Sequence, residues 1–222
     1  MLLSALRQNC AMPILIAVSG FKDTGKTTLA RALLAQLIAA GLSAVFIKHT
    51  DRDVLTPERT DTSRVSSLGI PSLYWGRDGF VEEAPLGELS RAGISRLFPG
   101  KDVVIVEGAK NVPMPRVWVG APHSLPPGVR GTFAFFDRFG APGDRDRVFS
   151  PGQEDALAAK ILKIHERVAD NQPASLYVEG EKIPLKGFVS GMIAGCLGGL
   201  ILPLKKVDSL RRGAEVYLKR RR

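Results

Sequence analysis

The chain has 222 residues, of which 45% are hydrophobic and 24% charged, enough to bury one α/β core with a short appendage left over. Its two cysteines, Cys10 and Cys196, lie far apart and outside any CxxC pair, which argues against a disulfide scaffold or a structural zinc site and points to a reducing, cytoplasmic setting. Of the net charge of +9, +6 belongs to residues 205–222, where eight basic residues stand against Asp208 and Glu215; charge gathered in this way describes a tail, not a nucleic-acid-binding face.

Residues 1–11 carry no secretory pattern and read as expendable, with Met12 as an alternative start. The run "ILIAVSG" (14–20) is apolar, rich in β-formers and closed by glycine, the pattern of a strand buried on both faces. Leu29, Leu33 and Leu37, with Leu34 and Ile38 alongside, then recur at helical spacing up to Gly41, a left-handed stop. "LSAVFIKHT" (42–50) is the second strand, parallel to the first through a right-handed crossover. Next, "TDTSRVSSLG" (60–69) predicts a short capped helix, "SLYWG" and "GFVEE" two short strands about the turn Arg77-Asp78-Gly79, and 85–97 a helix opened by Pro85. Strands follow at "DVVIVEG" (102–108), "RVWVG" (116–120) and "TFAFFD" (132–137), and a helix at 154–168. The expected fold class over 1–170 is α/β, a mostly parallel twisted sheet flanked by helices, and "GFKDTGKTT" (20–28) between its first strand and first helix marks it as a P-loop NTPase domain.

Between the first strand and the first helix stands Gly20-Phe21-Lys22-Asp23-Thr24-Gly25-Lys26-Thr27-Thr28, which satisfies the Walker A pattern in the right context. Its glycines let backbone N–H groups curl around phosphate oxygens, with Lys22, Asp23 and Thr24 filling the variable positions. Lys26 reaches the β and γ phosphates, and the Thr27 hydroxyl binds Mg²⁺. A partner carboxylate is expected at a neighbouring strand end. Asp102 and Glu107 flank "DVVIVEG", but at about 3.3 Å per residue they stand roughly 16 Å apart and cannot meet one ion. Ligands gather at the carboxyl ends of parallel strands, which favours Glu107 and leaves Asp102 to open the strand. Lys26 and Glu107 are thus the candidate catalytic residues, and Thr27 with Glu107 the candidate metal ligands. Lys48, His49 and Asp51 fall at the end of the second strand, beside the loop.

Taken in order and spacing, "GFKDTGKTTL", "VFIKHT", "TDTSR", "DVVIVEGAKNVPMPRVWV" and "TFAFFD" resemble the MobB family, the molybdopterin-guanine dinucleotide biosynthesis protein B, over residues 13–168. The resemblance implies a dimeric P-loop protein that binds GTP with Mg²⁺, hydrolyses it weakly at best, and assists a MobA-like guanylyltransferase in attaching GMP to molybdopterin. It implies Gly20, Gly25, Lys26, Thr27 and Thr28 for phosphates and magnesium, and Lys48, His49 and Thr50 from "IKHT". From the polar helix it implies Asp61 and Arg64, and from "VEGAK" Glu107, Gly108 and Lys110. Asp137, at the end of "TFAFFD", stands where the family also places Asp and is a candidate for holding the base. This chain departs from the family pattern at Asp51-Arg52-Asp53, in place of further histidines, and at Ala109, where Phe is usual. No N-K-x-D guanine motif occurs, so the motifs alone do not separate GTP from ATP.

Residues 174–222 form an expected small basic extension of β-β-α-β type. "SLYVEGEKIPL" (175–185) predicts a hairpin turning at Glu179-Gly180, and "AEVYLKR" (214–220) a last strand. Between them, 187–204 carries no charge, and Gly187, Gly191, Gly195 and Gly199 make a small-residue stripe. We expect a helix whose stripe lies against a sheet or a second copy; a membrane anchor is the alternative, at the short limit of a span. An accessory GTP-binding adapter is the leading functional expectation. A small-molecule kinase that recruits Arg52, Arg59 and Arg64 over the phosphates, and a GTPase metallochaperone, would use the same loop.

Overall fold

The computed structural model describes residues 12–52, 54–55, 72–83, 91–140, 146–171, 173–178, 181–210, 214–216 and 218. Asp61, Arg64, the expected helix at 60–69 and the turn at Glu179-Gly180 lie outside the described residues.

Two compact units emerge, one formed by residues 1–49 with 91–222 and the other by 50–90. The second contains an antiparallel hairpin of β3 (Ser72–Trp75) and β4 (Phe80–Glu83), whose turn is closed by Gly76 N–H to the Gly79 carbonyl at 2.8 Å.

The first unit is built on β1 (Ile14–Gly20), β2 (Ala44–Lys48), β5 (Val103–Glu107), β6 (Arg116–Val119), β7 (Thr132–Phe136) and β8 (Val148–Phe149). They form one sheet in the order β2-β5-β1-β6-β7-β8, with every pair parallel. All seven residues of β1 are buried because both faces are covered. Alternation divides them: Ile14, Ile16 and Val18 join Leu29, Leu33 and Leu37 of α1 (Lys26–Ala39) and Leu157 and Ile161 of α3 (Glu154–Asn171). Leu15 and Ala17 pack on the other side with Ile94 of α2 (Arg91–Leu97), Val104, Val106 and Met114. Ile38, read with the apolar face of α1, is 57% exposed instead, because it lies one position past the Leu37 stripe.

The far edge of the sheet is tied by a buried Asp102, which opens β5 as expected. Its Oδ2 accepts from Ser43 N–H and Ser43 Oγ, each at 2.7 Å, and His165 Nε2 of α3 stands 3.6 Å from Oδ1. Burial opposes ionisation of Asp102, but His165 and the two Ser43 donors outweigh it and hold the carboxyl below its usual range.

Beyond α3, β9 (Leu176–Val178) and β10 (Glu181–Ile183) pair antiparallel, and α4 covers Gly187–Ile201. The buried Ser190 of α4 anchors it by donating to the Ala174 carbonyl and accepting from Ala174 N–H, each at 2.9 Å. The glycine stripe does not lie against a sheet: a Cβ added at Gly191, Gly195 or Gly199 would meet nothing within 4 Å. No helix among the described residues is long and apolar enough to cross a membrane. Ala214, Glu215, Val216 and Leu218, within the expected last strand, make no strand pairing among the described residues.

Candidate functional site

The carboxyl ends of β1, β2 and β5 meet at one point, where the loop from Gly20 turns into α1. Gly25 takes a left-handed conformation at φ 89°, which a side chain would oppose, and Asp23 does the same at φ 60°. Gly20 has no room for a Cβ, which would fall 2.6 Å from the Val119 carbonyl of β6 and 2.8 Å from Thr24 Oγ1. Thr24 Oγ1 donates to the Phe21 carbonyl at 2.9 Å, and Lys26 Nζ donates to that same carbonyl, so the loop is braced by its own side chains.

Thr27 Oγ1, on the first turn of α1, donates to Glu107 Oε2 at 2.8 Å. The other oxygen, Oε1, faces Lys48 Nζ at 4.0 Å. Glu107 is buried, whereas the Lys48 side chain is 65% exposed, so this second pair is a weak, solvent-screened contact. Lys26 is lowered from the usual lysine range mainly by burial. Glu107 and Asp23 work against that shift, and the neighbouring Lys110 and Lys48 add to it. Two carboxylates, Glu107 and Asp23, among the three ammonium groups of Lys26, Lys48 and Lys110 leave the pocket net cationic, as a site for a polyphosphate requires.

His49 donates its backbone N–H to the Glu107 carbonyl at 2.9 Å, and a Cβ at Gly108 would lie 2.9 Å from the His49 carbonyl. The main chain of His49 therefore braces Glu107. Gly108 (φ 95°) and Ala109 (φ 47°) turn the chain back over the sheet and deliver Lys110, whose Nζ sits 5.2 Å from the centre of the Phe21 ring. Ala109 itself is buried against Met114 and Val106, a position with a backbone strain that a larger aromatic would share.

Asp137 ends β7 on the opposite side of β1 from Glu107. Its Oδ1 accepts from Phe139 N–H at 3.1 Å, and its own N–H donates to the Phe149 carbonyl at 2.8 Å. Thr28 lies on the exposed side of the first turn of α1, and Lys22 at the tip of the loop. Gly20, Lys22, Asp23, Thr24, Gly25, Lys26, Thr27, Lys48, His49, Glu107, Gly108 and Lys110 thus gather at one carboxyl edge, with Asp137 further along it.

Three residues absent from the sequence expectations complete the arrangement. Arg138 lies across Gly25, its Nη1 only 3.0 Å from where a Cβ there would stand. Arg116 is fully buried on β6 and has no carboxylate partner among the described residues. Its guanidinium donates to Ser19 Oγ at 2.5 Å, to the carbonyls of Ala109 at 3.1 Å and Val112 at 2.8 Å, and to that of Arg130 at 3.3 Å. Ser19 passes the connection on by donating to the Gly108 carbonyl. Burial lowers the Arg116 pKa, yet a guanidinium so supplied with acceptors remains a cation.

The family model for molybdopterin guanine dinucleotide synthesis protein B (MobB) matches residues 15–126, half of the chain. The chain belongs to the MobB family. The molybdopterin-guanine dinucleotide biosynthesis adapter protein of Haemophilus influenzae is a similar MobB relative, 28% identical over 123 residues that span 53% of this chain and 68% of that protein. The MobB of Bacillus subtilis has a similar fold, at 21% identity and a TM-score of 0.50, over 68% of this chain and 97% of its own. A crystal structure of molybdopterin-guanine biosynthesis protein B aligns with a TM-score of 0.53 at 18% identity, over 68% of this chain and 99% of that one. The P-loop fold and a place in molybdenum cofactor biosynthesis follow from MobB membership, and a nucleotide-binding loop belongs to that fold.

Proposed function

We propose that the chain is an adapter that holds GTP with Mg²⁺ and serves the conversion of molybdopterin to its guanine dinucleotide beside a MobA-like guanylyltransferase. The observation that carries this reading is the contact of Thr27 Oγ1 with Glu107 Oε2 at 2.8 Å, set among Lys26, Lys48 and Lys110. Two hard oxygen donors on separate elements suit Mg²⁺, with Thr27 and Glu107 holding it. The ion, when bound, neutralises charge on the β and γ phosphates. Lys26 leaves the Phe21 carbonyl for a phosphate oxygen, a stronger acceptor because it is charged. Glu107, held by Thr27 Oγ1 and set near Lys48, orients water or the metal. Residues 174–222 are on this reading an extension distinct from the nucleotide domain of 1–170, and the working protein is a cytoplasmic homodimer.

Guanine is the better fit at Asp137. A carboxylate only accepts hydrogen bonds, and the guanine edge offers two donors side by side, whereas adenine pairs a donor with an acceptor. Calorimetric titration of the full chain tests the reading. We expect GTP to bind in a Mg²⁺-dependent manner, ATP to bind more weakly, and Lys26→Ala to bind neither. Equal or tighter binding of ATP, or a phosphorylated small acceptor accumulating in the presence of GTP, would count against it.

A further inference from the structure

Which way the nucleotide lies follows from the sheet order. Thr27 and Glu107 mark the metal and γ-phosphate end, and Glu107 belongs to β5, on one side of β1. Lys48 of β2 extends the cationic ground further in that same direction. The rest of the nucleotide must then run the opposite way, over β6 toward the carboxyl ends of β7 and β8.

At that end stands the segment Asp137-Arg138-Phe139. Arg138 lies along Gly25, the last glycine of the loop, with its Cδ 3.1 Å and its Cζ 3.4 Å from the position of an added Cβ, so the side chain lies flat against the N-terminus of α1. Its Cζ is 5.9 Å from the centre of the Phe139 ring. Phe139 is 94% exposed, so its ring is open to a ligand. The segment is not loose. Asp137 Oδ1 holds Phe139 N–H, Gly140 lies so near Asp137 that a Cβ would meet Oδ2 at 2.8 Å, and Ser150 Oγ donates to the Gly140 carbonyl at 3.2 Å. A planar cation and an aromatic ring, fixed side by side one step beyond the phosphate loop, offer the flat faces on which a nucleobase stacks.

We propose that Arg138 and Phe139 form the base platform of the nucleotide site, stacking a purine while Asp137 reads its edge. The proposal rests on the loop being a GTP site, as argued above. Stacking does not distinguish purines, so the platform adds affinity for GTP and ATP alike and leaves their ratio to Asp137.

Calorimetry with three probes, Mg²⁺-GTP, Mg²⁺-ATP and inorganic tripolyphosphate, isolates the platform, because tripolyphosphate touches only the loop. Phe139→Ala is expected to weaken both nucleotides by about tenfold, the scale of one base–aromatic stack, and to leave tripolyphosphate unchanged. Arg138→Met, which keeps a stem over Gly25, is expected to weaken the nucleotides more than tripolyphosphate. Phe139→Trp retains nucleotide affinity, and its emission, measured against the wild-type background of Trp75 and Trp118, is quenched by GTP and not by tripolyphosphate. Unchanged nucleotide affinity in Phe139→Ala, or an equal loss for all three probes, overturns the platform while the GTP site stands. A wild-type chain that binds tripolyphosphate and GTP equally well overturns both.

Discussion

Arg116 Nη1 donates to Ser19 Oγ inside the sheet, at the place where β6 runs beside the last turn-ward residues of β1. Ser19 precedes the first glycine of the phosphate loop, and it passes that hydrogen bond to the Gly108 carbonyl. A single buried cation therefore ties the strand that feeds the loop to the turn that carries Glu107 and Lys110.

Replacing Arg116 by Met is expected to leave the Val112 carbonyl and the Ser19 hydroxyl oxygen without their donor in a dry interior, and to leave the Ala109 carbonyl with only the Val112 N–H. The cost is roughly 3 kcal/mol or more of unfolding free energy. Urea denaturation checks it, and Arg116→Lys should recover only part, because an ammonium cannot reach four acceptors spread over three segments.

Glu107→Gln keeps the shape of the side chain and can still accept from Thr27, but it removes the charge. We expect thermal stability to change little and the Mg²⁺ enhancement of nucleotide binding to fall by about tenfold or more, the scale of one hydrogen bond to a charged group. Titrations with GTP in the presence of Mg²⁺ and of EDTA would show the two curves converging.

Gly20→Ala puts a methyl group 2.6 Å from the Val119 carbonyl, a backbone atom that cannot swing away. Either β6 or the loop must shift. The expected result is a loss of about 1–3 kcal/mol in stability together with weakened nucleotide affinity. Substituting the exposed Gly191 is the control, since a Cβ there meets nothing within 4 Å.

Asp102 gives a pH signature of defined sign. Its folded pKa is depressed, so the stability it supplies is fully present above its unfolded value, about 4, and is lost as pH falls through the folded value. Melting temperatures of the wild type and Asp102→Asn, followed from pH 7 down to pH 3, should differ most at neutral pH and approach each other below about pH 4.

How much of this was legible in the sequence depended on whether the signal was local. "ILIAVSG" and the Leu29, Leu33, Leu37 stripe repeat with a fixed period, and β1 and α1 formed where that period placed them. Glu107 was separable from Asp102 because strand length and sheet polarity are geometric; the structure sets Asp102 against Ser43 and Glu107 against Thr27. By contrast β8 is only Val148–Phe149, too short to announce itself by alternation. Arg116 read as the polar start of a strand, and its burial depends on carbonyls from 109–112 and 130 that meet only in the folded chain. Arg138 had no motif around it. Its relation to Gly25 is made by the order of strands, across more than a hundred residues of sequence. For α4, composition marked an uncharged glycine-rich helix, but the sheet expected as one cover for its stripe does not lie there, because small residues permit a close approach without specifying the partner.

The missing methyl at Gly20 has one more consequence. With the Val119 carbonyl occupying the space a side chain would need, the base of the loop and β6 are wedged together and must travel as one piece. A partner that senses whether the nucleotide is present cannot receive that news through a sliding of those two strands. It has to read what lies open at the surface: the exposed rim at Arg138 and Phe139.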